Sequence, residues 1–327
     1  MRVVLRLLAV LVLLGVAGLA GSWWWADQRI RQAGPLPEER LVLIPRGTGG
    51  EEIGRRLTAA GVVEHPLLFH FAVFRAGVEG RLRAGEYAFA AGVSTLDAAR
   101  LVASGKVHQR RLTVAEGLSA REVTQLIADA PGLDGELERP LAEGEAFPET
   151  YFYVWGDRRE EVAERMRRAM RQEIARAWAE RDSSIPLETS AELLVLASIV
   201  EKETARADER ARVAAVFVNR LRRGMRLQSD PTVIHGLTGG GPLDRSLTRR
   251  DLEHASPYNT YAVAGLPPGP IATPGRASLM AVARPASTDD LYFVADGTGG
   301  HAFATNLQDH NRNVARWRRL QREQATE

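Results

Sequence analysis

The chain has 327 residues, enough for two or three modest domains, and 45% of them are apolar, an ordinary share for a folded protein. Its 43 basic and 41 acidic residues leave a formal net charge of +2, so no dominant nucleic-acid footprint is present. The absence of cysteine excludes disulfides, thiolate metal sites, a cysteine nucleophile and a lipoprotein anchor.

Residues 7–26 carry no charge and are rich in Leu, Val, Ala and Gly, about the length that crosses a bilayer as a helix. Arg2 and Arg6 precede the run, which keeps the N-terminus in the cytoplasm. Trp23, Trp24 and Trp25 close it, where aromatic rings favour the membrane–water interface. The alternative is a cleaved signal peptide, with small residues around Gly18 and Ala20 near a cut. The length of the run and the Trp cluster favour a single-pass inner-membrane anchor (residues 1–26) with the bulk of the chain in the periplasm. No Walker-type or dinucleotide-binding pattern is present, so nucleotide chemistry is not expected.

Residues 27–40 are polar with Pro35 and Pro37 and read as a linker. A strand is predicted over 41–44, a turn at 47–50, and a helix over 51–60 in which Ile53 and Leu57 stand four apart. A related strand–turn–helix unit recurs at 111–128, with Ser119 as the helix N-cap. Between them, residues 67–74 and 94–104 read as helices and 85–89 as a strand. Together, 41–130 form a small membrane-proximal module. Residues 131–148, rich in Gly, Pro and Glu, form a loop before a larger domain over 147–327. In that domain a helix over 160–181 carries the apolar stripe Val162, Met166, Met170, Ile174 and Trp178. The fold class expected is α+β, with a small antiparallel sheet in the larger domain.

The chemistry concentrates after residue 190. An apolar run, Leu193 to Val200, ends on Glu201, and burial at such an edge raises a carboxyl pKa. An acid that keeps its proton near neutral pH is what glycosidic bond cleavage needs. Three acids compete: Glu192, which suits a helix N-terminus, Glu201, and Glu203, which points another way from the same helix. Glu201 paired with Lys202 or Arg206 at a helix end is the structural alternative. Gln228, Asp230 and Thr232 are able to hydrogen-bond sugar hydroxyls or an N-acetyl group, although Asp230-Pro231 is also an ordinary helix start, with Asp230 as the cap. A tyrosine such as Tyr258 or Tyr261 offers a flat face to a pyranose ring. His301 reads as part of a turn into a strand. The histidines show no metal spacing, so neither metal nor cofactor is expected.

The segments around Ile199-Val200-Glu201-Lys202-Glu203, Ser256 to Tyr261, Gly265 to Ser278 and Tyr292 to Asn311 together closely resemble the YceG-like family of endolytic murein transglycosylases. The likeness runs from about Leu41 to the C-terminus. It implies a lyase that cuts nascent peptidoglycan strands between MurNAc and GlcNAc, leaves 1,6-anhydro-MurNAc ends and limits strand length. In the family pattern the first acid, here Glu201, is catalytic. The Tyr258-Asn259 pair is similar to the sugar-contacting motif of lytic transglycosylases, which places Tyr258, Asn259 and Tyr261 with Gln228, Asp230 and Thr232 in substrate binding. The strand–helix units of 41–130 resemble the family's LysM-like portion. Peptidoglycan glycan strands, the membrane and peptidoglycan synthases are the partners implied; nucleic acid is not. Two other readings stay open: a muramidase in which Asp230 assists water, and a non-catalytic glycan-binding scaffold.

Overall fold

The computed structural model describes residues 2–324. In chain order the elements are α1 (Arg2–Arg31), β1 (Arg40–Ile44), α2 (Gly50–Ala59), α3 (Pro66–Ala76), β2 (Gly85–Phe89), α4 (Thr95–Ser104), β3 (Arg110–Thr113), α5 (Ala120–Asp129) and β4 (Thr150–Tyr153). Then follow α6 (Arg159–Ala179), α7 (Ser190–Glu203), α8 (Arg210–Arg222), α9 (Asp230–Thr238), α10 (Arg249–Leu252), α11 (Arg276–Ala283), β5 (Tyr292–Ala295), β6 (His301–Ala304) and α12 (Leu307–Gln324). The described residues form a mixed α+β chain with one apolar N-terminal helix and, among them, three two-stranded sheets: β1–β2, β3–β4 and β5–β6.

Contacts divide the chain into two compact units, residues 1–110 with 152–156, and residues 111–151 with 157–327. The sequence places 111–130 in the membrane-proximal module, whereas α5 makes its contacts in the second unit. The reason is local to that unit. The Gly117 N–H donates to the Thr273 carbonyl and the Thr273 N–H to the Leu118 carbonyl, both at 2.8 Å.

In the first unit, α1 is exposed from residue 2 to residue 25 and is long and apolar enough to cross a membrane. It continues five residues into the stretch expected to be linker. Asp27 pairs with Arg31 at 2.9 Å along the helix and with Arg75 at 2.7 Å, while Ile30 is fully buried. β1 and β2 run antiparallel, from Arg40 opposite Phe89 to Ile44 opposite Gly85. Against this ribbon α2, α3 and α4 bury Leu57, Phe69 and Val102 around Tyr87 and Phe89. Ser94 caps α4 by accepting from the Asp97 N–H at 3.1 Å.

The second unit is built around α7. Leu193 and residues 195–200 are all buried, so this helix is covered nearly all round rather than along one stripe. α6, α8 and α11 pack on it through Met170, Val213, Phe217, Leu279 and Val282. β5 and β6 form an antiparallel hairpin, Tyr292 opposite Ala304 and Ala295 opposite His301. Phe293 of that hairpin meets Phe217 edge-on at 5.8 Å.

Candidate active site

The start of α7 is fixed by a reciprocal cap. Thr189 Oγ1 accepts from the Glu192 N–H and the Glu192 carboxylate accepts from the Thr189 N–H, each at 3.2 Å. Glu192 is thereby occupied as a structural acid. The apolar body of α7 then delivers Glu201, Lys202 and Glu203 at its C-terminal end.

Glu201 is 94% covered at the side chain, 6% remaining exposed, and its Oε2 accepts the Gly275 N–H at 2.8 Å. The Arg210 guanidinium stands 3.8 Å from Oε1. Neither neighbour expected to neutralise Glu201 does so: Arg206 pairs with Asp208 at 2.5 Å, and Lys202 Nζ donates to the Gly117 carbonyl at 3.2 Å. Glu201 lines an open cleft of about 540 Å³, within the size range of ligand sites.

A residue that the sequence did not single out completes this cleft. Glu116 lies against Gly275 so closely that a β-carbon at 275 would fall 1.7 Å from its Oε1. Gly275 has an ordinary φ of −79°, so it is space, not backbone freedom, that requires glycine there. Loss of water, then the negative charge of Glu201, push the Glu116 pKa up, while Arg210 pulls it down. The signal available in the sequence was Glu116-Gly117 ahead of a capped helix, 85 residues before Glu201, with nothing local to join the two.

Glu203 lines the Glu201 cleft too, and it also faces a neighbouring cleft of about 300 Å³ that it shares with Arg220, Gln228, Asp230 and Tyr261. Ser229 Oγ donates to Glu203 Oε1 at 2.5 Å. Loss of water pushes the Glu203 pKa up to about 7; the Ser229 hydrogen bond opposes this and the charge of Asp230 adds to it. Tyr261 Oη donates to Asp230 Oδ1 at 2.6 Å. Asp230 is not the cap of α9: Ser229 occupies that position, and Asp230 stands in the first turn with its carboxylate spent on Tyr261.

The other expected binding residues separate into two kinds. Gln228 lines the Glu203 cleft with a φ of 52°, the only positive φ at a non-glycine among the described residues, and strain of that kind gathers at functional sites. Tyr258 is half-buried, with its ring 4.6 Å from that of His235. By contrast, Thr232 and Asn259 are buried and spent on the protein. Thr232 Oγ1 contacts Thr260 Oγ1 at 2.8 Å, and Asn259 Nδ2 donates to the carbonyls of Leu252 at 3.0 Å and His254 at 2.8 Å. They brace the 256–261 loop. His301 is paired with Glu209 at 2.8 Å and opens β6.

A third cleft, of about 380 Å³, is lined by Pro231, Ile234 and His235, and it shares Gly117, Glu122 and Lys202 with the Glu201 cleft. The Glu201 cleft thus shares walls with both others, through Glu203 with the smaller and through Gly117, Glu122 and Lys202 with the third, an arrangement suited to an extended ligand more than to a compact one.

A model of the YceG-like family matches residues 42–316. The chain belongs to the YceG-like family. It is 29% identical over 364 aligned positions to an endolytic murein transglycosylase of Streptococcus pneumoniae, covering 95% of this chain and 64% of that relative's length. A Bacillus subtilis protein of the same name is 31% identical over 306 positions, covering 83% of this chain and 82% of the relative. The crystal structure of a yceG-like protein from Listeria monocytogenes superposes with a TM-score of 0.55 at 29% identity, covering 84% of this chain and 98% of that one.

Replacing Gln228 by glycine removes the side chain from a left-handed backbone. The expected outcome is stability that is unchanged or higher by about 1 kcal/mol, read from a denaturant midpoint. A large loss of stability would show that the strained turn depends on the carboxamide.

Proposed function

We propose that the chain is an endolytic murein transglycosylase with Glu201 as its acid and base. The observation that carries this reading is a covered carboxylate, held by a backbone N–H, in the wall of an open cleft that continues on both sides. A lytic cut needs only one such group. Glu201 protonates the glycosidic oxygen as its bond to C1 of MurNAc breaks. The C6 hydroxyl of the same sugar attacks C1 and gives its proton back to Glu201. No water is consumed, and the strand ends in 1,6-anhydro-MurNAc. Because nucleophile and electrophile belong to one sugar ring, effective molarity offsets the missing second carboxylate. The clefts on either side match an enzyme that cuts within a strand.

Gln228, Asp230, Tyr258 and Tyr261 are proposed to hold the sugars beyond the cut, with Thr232 and Asn259 bracing them. The strand–helix part of the first unit is proposed as the LysM-like portion, in contact with the glycan. α1 is proposed to anchor the chain in the inner membrane with the rest in the periplasm, beside the synthases that extend the strands. The names of the pneumococcal and Bacillus relatives support the substrate and the reaction.

One observation favours a second reading. Glu203, its pKa pushed up to about 7, stands in one cleft with Asp230, and a hydrolase draws its acid and its base from two carboxyl groups. Mass spectrometry of glycan strands treated with the protein separates the two. Anhydro ends support the lyase, and hydrated reducing ends support the muramidase. Strands left intact would move the chain to a glycan-binding scaffold.

Glu116 generates a further prediction. The negative charge of Glu201 adds to the loss of water in raising the Glu116 pKa. In Glu201→Gln the Glu116 carboxyl should therefore titrate at lower pH than in the wild-type protein, read by NMR of the side-chain carboxyl carbon. An unchanged Glu116 titration would show that the two carboxyl groups do not sense each other across the cleft.

A further inference from the structure

In the first unit, α3 presents an apolar stripe that the protein covers only in part. Leu67, Phe71 and Phe74 recur at helical spacing on one face, with Leu67 71% and Phe74 58% exposed. Behind them Phe69, Ala72 and Val73 are buried in the core, so the same helix is apolar on both sides.

The position of this stripe relative to α1 identifies what covers it. Trp23 of α1 meets Phe71 edge-on at 4.9 Å and Phe74 at 6.0 Å. A groove between the helices is lined by Gly21, Ser22, Trp25 and Ala26 on one side and Leu67 and Phe71 on the other. These α1 residues are the last turns of the uncharged run, where the span leaves the acyl chains. The charges at the same level are paired within the unit: Arg75 with Asp27 at 2.7 Å, Arg31 with Asp27 at 2.9 Å, and Arg29 with Glu64. Those pairs fix both ends of α3 to the end of α1 and leave no unpaired charge among them beside the stripe.

We infer that α3 is an interfacial helix, seated in the headgroup–acyl boundary beside the span, so that the first unit rests on the bilayer instead of swinging from α1. The occupant of the apolar face is the lipid surface itself, because the face is continuous with the exit of the span. Interfacial helices bind membranes by seating an apolar face in this boundary region; here the opposite face is apolar too and is covered by the core of the unit. The inference rests on α1 being a membrane span.

The lack of native cysteine allows a direct test. Single cysteines at Leu13, Leu67, Phe74 and the exposed Arg100 carry a fluorescent label, with the full chain reconstituted in phosphatidylglycerol–phosphatidylcholine vesicles. The lipids carry a nitroxide quencher either near the headgroup or deep in the acyl chain. The expected result is that labels at 67 and 74 lose most of their emission to the shallow quencher and the label at 13 to the deep one, while that at 100 loses none. Quenching at 13 with none at 67 and 74 would overturn the interfacial helix and leave the anchor standing. No quenching at 13, 67 or 74 would overturn both.

Discussion

The hydrogen bond from the Gly275 N–H to the Glu201 carboxylate is the contact on which the rest of the site depends. It joins groups 74 residues apart, at 2.8 Å, and it is made by a backbone donor that cannot rotate away. A donor aimed at a covered carboxylate sets that group's position before any substrate arrives, which is the condition for catalysis by preorganised groups. The requirement for space at Gly275 follows, since Glu116 occupies the volume any side chain would take. The Gly117–Thr273 and Thr273–Leu118 backbone bonds follow as well, because they bring Glu116 to that place.

α7 adds a second constraint. A helix buried nearly all round has few places to put charge, and its carboxylates stand at its two ends, Glu192 in the N-terminal cap and Glu201 and Glu203 in the last turn. Two residues apart on a helix means two directions: Glu201 and Glu203 both line the larger cleft, and Glu203 alone also lines the smaller one with Asp230. One faces a guanidinium and a backbone N–H. The other faces a serine hydroxyl and Asp230, with its pKa pushed to about 7. The same helix thus presents two acids with different chemistry, and a raised pKa alone does not decide between them, because an acid must also reach the bond it protonates.

Much of this was legible in the sequence because it depends on neighbours along the chain. The helix over 193–203 and its terminal acid follow from an apolar run and its edge. The Ser119 and Ser94 caps follow from local hydrogen-bonding rules. Glu116 was not legible, since its partners Gly275 and Arg210 are 159 and 94 positions away and no local pattern announces them. The roles of Asn259 and Thr232 were equally hidden: a buried amide that braces a loop and an exposed one that holds a sugar look alike until burial is known. The sequence offers Asp230 as a sugar contact, a second carboxylate or the cap of Asp-Pro, and one residue of register gives the cap position to Ser229 and leaves Asp230 to Tyr261. The end of α1 misled for a related reason. Polar residues 27–31 read as linker, yet their ion pairs and the buried Ile30 continue the helix.

The most direct test compares the rates at which Glu201→Gln and Glu203→Gln cleave the same glycan strands. Loss of a general acid typically costs about a hundredfold or more. A loss of that size is expected for Glu201→Gln and a clearly smaller one for Glu203→Gln, with both proteins folded. A Glu201→Gln protein that cuts at the wild-type rate, beside an inactive Glu203→Gln, would contradict this and transfer the acid to the second cleft.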